Sequence, residues 1–394
     1  MGKHYKQMKR KNIIVVTSRV PYPLDKGDKL RIYHQIKHLS NYHNIFLICL
    51  HHQSTISLKD EKKLSQYCQK IFVIKISFIK RIYNMIKSFL NKEPLQVGYF
   101  YSKKSHQRIQ SIIQDIEPEW CYFQLIRTSK YVNANKNNMI DYMDALSKGI
   151  ERRISNFPRI IQPLIKREFI VTKNYENAIF NHFKIHTIIT ENDRNFIHHK
   201  QNNKIRIIPN GVNTDYFYPI NKKKEYDIVF VGNMSYPPNI EAVNYLCKQI
   251  IPIIEKKYKT CKVLIGGTNP HSNVKKLQSR HIHISGWVND IREIYASGYI
   301  FVAPMFMGTG LQNKLLEAMS MGIPCVTTSL ANKALLANSS QIIIANQPEE
   351  FASACIKLLQ NKQLVKKLEY EGIKFVKEKY DWKKINHKLG QLFE

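Results

Sequence analysis

The chain has 394 residues, of which 43% are hydrophobic, and it carries a formal net charge of +31. This length and apolar content are enough for two domains of ordinary size, each with its own core. Lysine and arginine are spread from end to end, and the sequence contains no zinc finger, RRM signature or convincing helix-turn-helix. Specific nucleic-acid binding therefore explains the charge less well than two alternatives. These are attraction to an anionic membrane surface and a bias toward Lys, Asn and Ile such as an AT-rich genome produces.

The cysteines and the N-terminus indicate the compartment. Seven cysteines without a CxxC pair argue for a reducing environment and against a disulfide framework. The basic start, Met1–Asn12, is followed by an apolar run, Ile13–Val16, that is too short for the core of a signal peptide. No segment approaches the ~20 apolar residues that span a bilayer. We therefore expect a cytoplasmic protein, soluble or peripheral on the inner face of the cell membrane.

Short apolar runs alternate with helical patterns through the first half of the chain. The runs predict strands at Asn12–Val16, Ile45–Leu50, Ile71–Ile74, Trp120–Leu125, Asn138–Met143 and Lys184–Thr190. Helical patterns cover Leu30–Ser40, Lys75–Lys92, Gln107–Gln114 and Arg152–Phe183.

Lys75–Lys92 has the pattern of a basic amphipathic helix. Its apolar side is predicted to carry Ile76, Ile79, Tyr83, Ile86 and Leu90, with Lys80, Arg81, Lys87 and Lys92 among the other positions. Helices of this kind dock on anionic membranes. The pattern equally fits a helix that packs on a core and turns a basic face to solvent.

The second half repeats the alternation. Strands are predicted at Lys204–Ile208, Asp227–Val231, Lys262–Ile265, His281–Ser285, Tyr299–Pro304, Cys325–Ser329 and Gln341–Ile344. Helices are predicted at Glu241–Lys256, Ile291–Ala296, Leu311–Met321, Glu349–Glu378 and Asp381–Phe393.

This order predicts an α/β protein of two doubly wound, Rossmann-like domains that face a central cleft. We expect an N-terminal domain at residues 1–195, a linker at 196–204 and a C-terminal domain at 205–378. Residues 379–394 are expected to form a helix that packs back on the first domain.

The stretch Tyr299–Pro324 joins a buried strand, a glycine loop at Met307–Gly310 and a strong helix pattern without a gap. A helix N-terminus that follows a glycine loop is suited to bind an anion, because its first N–H groups are free and glycine lets a phosphate approach. The alternative is an ordinary strand-to-helix crossover, since the glycine spacing matches neither the dinucleotide nor the P-loop pattern.

Six motifs, distributed over both halves of the chain, resemble those of a known family. GTGLQNKLLEAMSMG (308–322), NGVNTDYFYP (210–219) and SGWVNDIREIYASGYIFVAP (285–304) are similar to motifs of GT-B glycosyltransferases of family GT4. SRVPYPLDKGDKLRIYH (18–34), EPLQVGYFYS (93–102) and FVGNMSYPPNIEAV (230–243) resemble, more narrowly, the exopolysaccharide sugar transferases associated with exosortase systems. The resemblance covers nearly the whole chain and implies a GT-B fold and glycosyl transfer from a nucleotide-diphosphate sugar to a saccharide or lipid-linked acceptor.

The resemblance also implies where the donor binds. Glu317 matches the glutamate that accepts hydrogen bonds from ribose hydroxyls, and Gly310 and Leu311 would offer backbone N–H groups to the diphosphate. Val288 matches a position whose backbone reads the base, and Gly27 matches the first-domain glycine that faces the donor phosphate. Further donor-side candidates at the ends of predicted strands are Asn233 and Gly266.

Two departures from the family concern the sugar and the diphosphate. Thr309 stands where the family usually has a glutamate for donor-sugar hydroxyls. The loop Asn233–Pro238 lacks the usual Arg and Lys that hold the diphosphate. Lys314 could supply the missing charge, although it also fits a solvated helix lysine.

Catalytic and metal-binding residues are harder to assign. Asp141 and Asp144 follow a first-domain strand, where acceptor-side groups are expected, and a helix cap or surface turn would explain them equally. No DxD in a suitable loop and no Cys/His cluster with metal spacing is present, so we expect transfer without a metal or other cofactor. The resemblance to GT4 enzymes implies that the transfer proceeds with retention, with the leaving-group charge stabilised electrostatically. Glu168 and Glu176 are expected to form surface ion pairs with lysines. Competing functions are a GT-B nucleotide-sugar epimerase and a nucleic-acid-binding protein.

Overall fold

The computed structural model describes residues 10–258, 260–307 and 310–394. They form two compact units, the described part of Met1–Pro209 with Asn386–Glu394, and Asn210–Ile385. The first unit therefore extends beyond the predicted boundary at residue 195, because Arg206–Ile207 pairs with Ile185–Ile188 in the first sheet. The run at Lys204–Ile208, which we assigned to the second half, contributes its strand to the first.

The first unit contains a parallel sheet with seven strands among the described residues. In order across the sheet they are β3 (Lys70–Lys75), β2 (Asn44–His51), β1 (Asn12–Thr17), β4 (Trp120–Gln124), β5 (Asn137–Asp141), β6 (Ile185–Ile188) and β7 (Arg206–Ile207). The central strand β1 pairs with β2 and β4, and Ile13–Val16 is fully buried. A continuous apolar run is expected for a strand that is covered on both faces.

Helices connect these strands. In chain order they are α1 (Gly27–Leu39), α2 (Leu58–Leu64), α3 (Phe78–Leu90), α4 (Leu95–Phe100), α5 (Lys103–Ile116), α6 (Leu146–Glu151), α7 (Gln162–Ala178) and α8 (Glu191–Arg194). The long pattern Arg152–Phe183 is shorter in the structure, since α7 begins at Gln162, with Pro163 in its first turn.

The second unit contains a parallel sheet with six strands in the described part of the chain. Its order is β10 (Ile282–Gly286), β9 (Val263–Gly266), β8 (Tyr226–Val231), β11 (Gly298–Ala303), β12 (Cys325–Thr327) and β13 (Ile343–Ile344). The predicted α/β class with two parallel, doubly wound sheets is therefore confirmed.

The helices of this unit follow the same alternation. They are α9 (Pro237–Tyr245), α10 (Ile251–Tyr258), α11 (Ser272–Lys275), α12 (Ile291–Ala296), α13 (Asn313–Ser320), α14 (Ser329–Leu335), α15 (Pro348–Gln360) and α16 (Lys362–Lys379). The last helix, α17 (Trp382–Gly390), begins in this unit and ends in the segment Asn386–Glu394, which belongs to the first unit. A π turn at Leu246–Ile250 joins α9 to α10. No helix among the described residues is both long and apolar enough to cross a bilayer.

A buried ion pair ties α1 to the first sheet. Arg31 and Asp141 have fully buried side chains, with Nε to Oδ2 at 2.6 Å and Nη2 to Oδ1 at 3.1 Å. Thr187 donates to Oδ1 at 3.0 Å, and the Tyr122 hydroxyl lies 3.3 Å from Oδ2. Because Arg31 comes from α1 and Tyr122 and Thr187 come from the neighbouring strands β4 and β6, the carboxylate fixes the end of β5 relative to α1.

We expect Asp141→Asn to lower the free energy of unfolding of the first unit by about 3–5 kcal/mol, because the buried guanidinium loses its counter-charge. Denaturant unfolding measures this change. The matched control is Asp215→Asn, whose ion pair with Lys383 is exposed, and it should leave the transition unchanged. Equal stability of the two variants would contradict the structural role given to Asp141.

Candidate functional site

The direction of chain winding reverses between β8 and β11 in the second unit. The chain runs from β8 outward to β9 and β10, returns to the other side of β8 with β11, and continues to β12 and β13. In open parallel sheets, the carboxyl ends of the two strands at such a reversal border the ligand-binding crevice. The loops after Val231 and Ala303 therefore border the expected ligand-binding crevice.

Glycines bring the backbone close together at this edge. Gly267 has φ +135°, and a Cβ there would lie 1.8 Å from the carbonyl oxygen of Gly232. A Cβ on Gly232 would lie 2.6 Å from Asn239 Nδ2 and 3.1 Å from Lys314 Nζ. Any larger residue at either position would displace the backbone or these side chains. The edge is thus lined by main chain beside one amide and one ammonium group.

Lys314 lies in the first turn of α13 and turns its ammonium group to the loop after β8. Its Nζ donates to Asn239 Oδ1 and lies 4.5 Å from the centre of the Phe230 ring. No carboxylate in the described residues is within ion-pair distance of it. Burial lowers the pKa of Lys314 to about 7, and the charge of Glu317 opposes this shift only partly. The Lys314 amine is therefore held in place by Asn239, and burial without an ion-pair partner disfavours its charged form.

Glu317 lies one turn further along α13. The buried Tyr295 hydroxyl donates to its Oε2 at 2.7 Å. Burial raises the pKa of the Glu317 carboxyl to about 7, while this hydrogen bond and Lys314 act in the opposite direction. Tyr295 fixes one oxygen, and no donor in the described part of the chain reaches the other. A ligand hydroxyl can therefore be accepted there.

The remaining donor-side candidates of this unit have different roles. Asn233 accepts from Ser235 N at 3.0 Å, and its carbonyl accepts from Asn239 at 2.8 Å, so it shapes the loop after β8. Gly266 ends β9, where a Cβ would lie 2.6 Å from Ile294, which makes it a packing position for α12. Val288 is partly buried, two residues beyond Gly286 with its φ of +68°.

The structure places more residues between the glycine loop and the helix than the sequence predicts. Helix α13 begins at Asn313, so Gly310 and Leu311 lie before its first turn. The Gly310 carbonyl accepts from Gln312 Nε2 at 3.1 Å. Thr309 lies outside the described residues. Gly310 and Leu311 border the free N–H groups of α13 without belonging to the helix.

The candidates of the first unit separate into accessible and inaccessible groups. Gly27 is the exposed first residue of α1, with open space where a Cβ would be. Asp141 is enclosed by its ion pair with Arg31, which gives it a structural role instead of the catalytic one considered from sequence. Asp144 is exposed and follows Met143, whose φ is +63°. Partial desolvation by the surrounding protein and the charge of Asp193 raise the pKa of Asp144 above the ordinary aspartate value.

Glu168 and Glu176 are not the surface ion-pair residues that the sequence suggests. Both side chains are buried on α7. Glu168 Oε1 accepts from Leu95 N at 2.8 Å, and Glu176 accepts from Ser147 N at 3.2 Å and Ser147 Oγ at 2.5 Å. They join α7 to the starts of α4 and α6, because carboxylates near a helix start can satisfy its free N–H groups.

Sequence reasoning missed Asn239 and Tyr295. Asn239 holds Lys314, and Tyr295 holds Glu317. Both lie in segments that we had matched to motifs, 230–243 and 285–304, but neither stands out by residue type. The available signal was a buried tyrosine on a short helix, whose hydroxyl requires a partner.

Helix α3 presents its apolar side to solvent. Its exposed apolar residues are Phe78, Ile79, Tyr83, Ile86, Phe89 and Leu90, whereas Arg81 and Ser88 are buried. The reason is that α4 packs on the polar side: a Cβ on Gly98 would lie 2.0 Å from Ser88 Oγ and 2.8 Å from the Asn84 carbonyl oxygen. The core-packing interpretation of this helix is therefore wrong for its apolar side.

Other exposed apolar residues occur nearby. The Arg167 guanidinium of α7 lies 3.9 Å from the centre of the Phe89 ring. Ile160, Ile161, Leu164 and Ile170, which lie on α7 or directly before it in the chain, are also exposed. We call these residues and the apolar side of α3 the α3 surface. A group of exposed large apolar side chains of this kind indicates an interaction site.

A metal centre is not evident in the part of the chain that the structure describes. No three His, Cys, Asp or Glu residues there come together in a way that could hold a metal ion.

This chain is similar to known proteins in sequence and in fold. Residues 225–361, which include Lys314 and Glu317, match the family described as glycosyl transferases group 1. An uncharacterized 44.6 kDa protein in the cps region of Klebsiella pneumoniae is 24% identical over 95% of this chain and 97% of its own length. The UDP-Gal:alpha-D-GlcNAc-diphosphoundecaprenol alpha-1,3-galactosyltransferase of Escherichia coli is 28% identical over 41% of this chain and 46% of its own. Sucrose-phosphate synthase from Thermosynechococcus elongatus has the same fold, with a TM-score of 0.71 at 13% identity over 98% of both chains.

The raised pKa of Glu317 predicts how its replacement changes stability. The folded state holds a proton up to about pH 7, whereas an unfolded glutamate releases it near 4.5, so stability is lost as pH rises through this window. Glu317→Gln should therefore leave the thermal midpoint roughly unchanged near pH 5 and raise it above about pH 8. Glu378→Gln, at an exposed position of α16, is the control and should show no such pH dependence. A gain for Glu317→Gln that is equal at both pH values would contradict the assignment.

Proposed function

We propose, from the finding that this chain is a GT4-like glycosyltransferase with a GT-B fold, that its second unit binds a nucleotide-diphosphate sugar through Lys314 and Glu317. The observation that carries the proposal is the placement of these two side chains on one turn of α13, at the reversal point of the sheet. A carboxylate and an ammonium group so placed match the two polar parts of such a donor, the ribose hydroxyls and the diphosphate.

Each side chain is prepared for one part of the donor. Glu317, with one oxygen held by Tyr295, accepts from the ribose hydroxyls. Lys314 contacts the diphosphate together with the free N–H groups at the start of α13. The diphosphate supplies the anion that Lys314 lacks in the described residues, and this raises the pKa of the ammonium group again. Because Gly232 and Gly267 have no side chains, the phosphates can approach the backbone closely there.

The same groups support the chemical step. Cleavage of the glycosidic bond leaves negative charge on the diphosphate, and a preorganised ammonium group and helix terminus stabilise that charge in the transition state. We propose that transfer proceeds with retention and without a metal ion or other cofactor. On the acceptor side, Asp144 remains the accessible carboxylate of the two that the sequence suggested.

We further propose that the acceptor is a saccharide on a lipid carrier and that the protein works at an anionic membrane in polysaccharide or glycoconjugate synthesis. The name of the Escherichia coli relative describes a lipid-diphosphate acceptor, and the Klebsiella relative belongs to a cps region. The α3 surface supports this setting, because apolar residues flanked by Lys80 and Lys87 suit the interface of an anionic bilayer.

Replacement of Glu317 by alanine tests the donor assignment. We expect kcat/KM for the nucleotide sugar to fall by about tenfold or more, because a charged hydrogen-bond acceptor of the ribose is lost. Glu378→Ala is the matched control, and circular dichroism verifies that both variants fold. Wild-type kinetics in Glu317→Ala would show that the ribose is bound elsewhere.

Glutamate in the α3 surface tests the membrane setting. Tyr83 on α3 and Tyr370 on α16 are both 65% exposed, so Tyr83→Glu and Tyr370→Glu make the same change at equal exposure. Sedimentation with phosphatidylglycerol vesicles should show at least roughly fivefold weaker binding for Tyr83→Glu only, since a carboxylate opposes both insertion and anionic lipid. Equal binding of both variants would argue against membrane contact through α3.

A further inference from the structure

The first unit contains a cavity of about 500 Å³ beside the carboxyl ends of β1 and β2. Ser18 lies at its β1 side, His51 at its β2 side, and Arg81, Tyr99 and Phe100 close it from α3 and α4. Its size is within the range of sites for small molecules. The residues that line it include the cations of Arg19, Lys26, Lys29 and Arg81 and the carboxylate of Asp60.

Arg81 is the unusual residue of this cavity. It is 8% exposed, its Nε donates to the Ile76 carbonyl at 3.0 Å, and its guanidinium lies 5.2 and 5.3 Å from the centres of the Tyr99 and Phe100 rings. In the described residues no carboxylate forms an ion pair with it, and this includes Asp60. The other buried arginine discussed above, Arg31, has Asp141 for this purpose. A buried guanidinium without a counter-ion is unfavourable unless a ligand provides the anion.

Ser18 provides a second, independent indication. It is 1% exposed, it lines the same cavity, and its Oγ has no hydrogen-bond partner within the described part of the chain. Two of the other cations are already paired, Arg19 with Asp28 and Lys29 with Asp25, both at 2.8 Å. A buried hydroxyl and a buried guanidinium thus remain for a ligand. Buried polar groups without a partner are rare in folded proteins.

We propose that this cavity binds a phosphate or diphosphate group of the acceptor. The phosphate site itself is argued from the cavity, and only the naming of the acceptor as the source of the phosphate rests on the proposed function. A phosphate has several oxygens, so it can accept from the arginine fork and from the Ser18 hydroxyl at the same time. Lys26, exposed at the rim, adds long-range attraction.

Helix α3 relates this cavity to the membrane. One side of α3 carries Arg81 into the cavity, and the other carries Ile79, Tyr83 and Ile86 to the surface. If the apolar side lies in the bilayer interface, a phosphate attached to a lipid is at the depth of the Arg81 side chain.

The test is a calorimetric titration with inorganic pyrophosphate, performed on Lys314→Gln protein so that the donor site of the second unit is disabled. Adding Arg81→Gln should weaken binding by about tenfold or more. Adding Arg108→Gln, the same change at an exposed position of α5, should leave binding unchanged. Equal affinities for the Arg81→Gln and Arg108→Gln proteins would overturn the proposal.

Ser18→Ala keeps the proposal testable if Arg81→Gln does not fold. Because Ser18 Oγ has no protein partner in the described residues, its removal should not lower the thermal midpoint, yet it should weaken pyrophosphate binding by about three- to tenfold. A lowered midpoint with unchanged binding would indicate a structural hydroxyl and would contradict the phosphate site.

Two further experiments distinguish a lipid-linked phosphate from a soluble one, and failure of this proposal from failure of the proposed function. If the phosphate is lipid-linked, neutral phosphatidylcholine vesicles that contain a polyprenyl diphosphate should bind the wild-type protein more strongly than Arg81→Gln protein. If Arg81→Gln weakens the binding of soluble pyrophosphate but not the binding of these vesicles, the natural ligand is a soluble phosphate ester. In turnover, Arg81→Gln should raise KM for the acceptor and leave KM for the donor unchanged. Arg81-dependent pyrophosphate binding in a protein that uses no nucleotide sugar would refute the proposed function and leave this site standing.

Discussion

The second unit depends on one close approach, in which the backbones after β8 and β9 meet beside the first turn of α13. Gly232 and Gly267 make this approach possible, and a side chain at either would collide with a carbonyl oxygen or with the groups around Lys314. The approach places main-chain groups, an ammonium group and a carboxylate at the reversal point of the sheet, where a parallel sheet leaves room for a ligand. The donor site that we propose follows from this arrangement and not from any single residue.

Burial brings the pKa values of the two key side chains together. It lowers that of Lys314 and raises that of Glu317, both to about 7. The charged forms of Lys314 and Glu317 therefore lower the stability of the free protein. A ligand that carries the complementary groups compensates for this loss of stability. The first unit uses burial in two ways: Arg31 is neutralised by Asp141 within the fold, whereas Arg81 has no such partner in the described residues. The first pair stabilises the fold, and the second arginine is available to a ligand.

Most strands could be predicted from the sequence because buried parallel strands are continuous apolar runs. Helix α13 could be predicted because its motif, 308–322, is one continuous segment of the chain. It could not predict the Arg31–Asp141 pair, since the two residues are 110 positions apart and only the fold brings them together. Periodicity identified the apolar side of α3 but not its direction, which is decided by the packing of Gly98 against Ser88. Asn239 and Tyr295 escaped notice because their importance lies in which side chain they hold.

The most direct test of the donor site is a thermal-shift titration with nucleoside diphosphates and the corresponding monophosphates of several bases. A ligand that binds only the folded state raises the midpoint by an amount set by its concentration and affinity. We expect at least one diphosphate to raise the midpoint more than its monophosphate does, and Lys314→Gln to remove this difference. If no nucleotide raises the midpoint, or if Lys314→Gln leaves the difference intact, the assignment of Lys314 and Glu317 to the donor is contradicted.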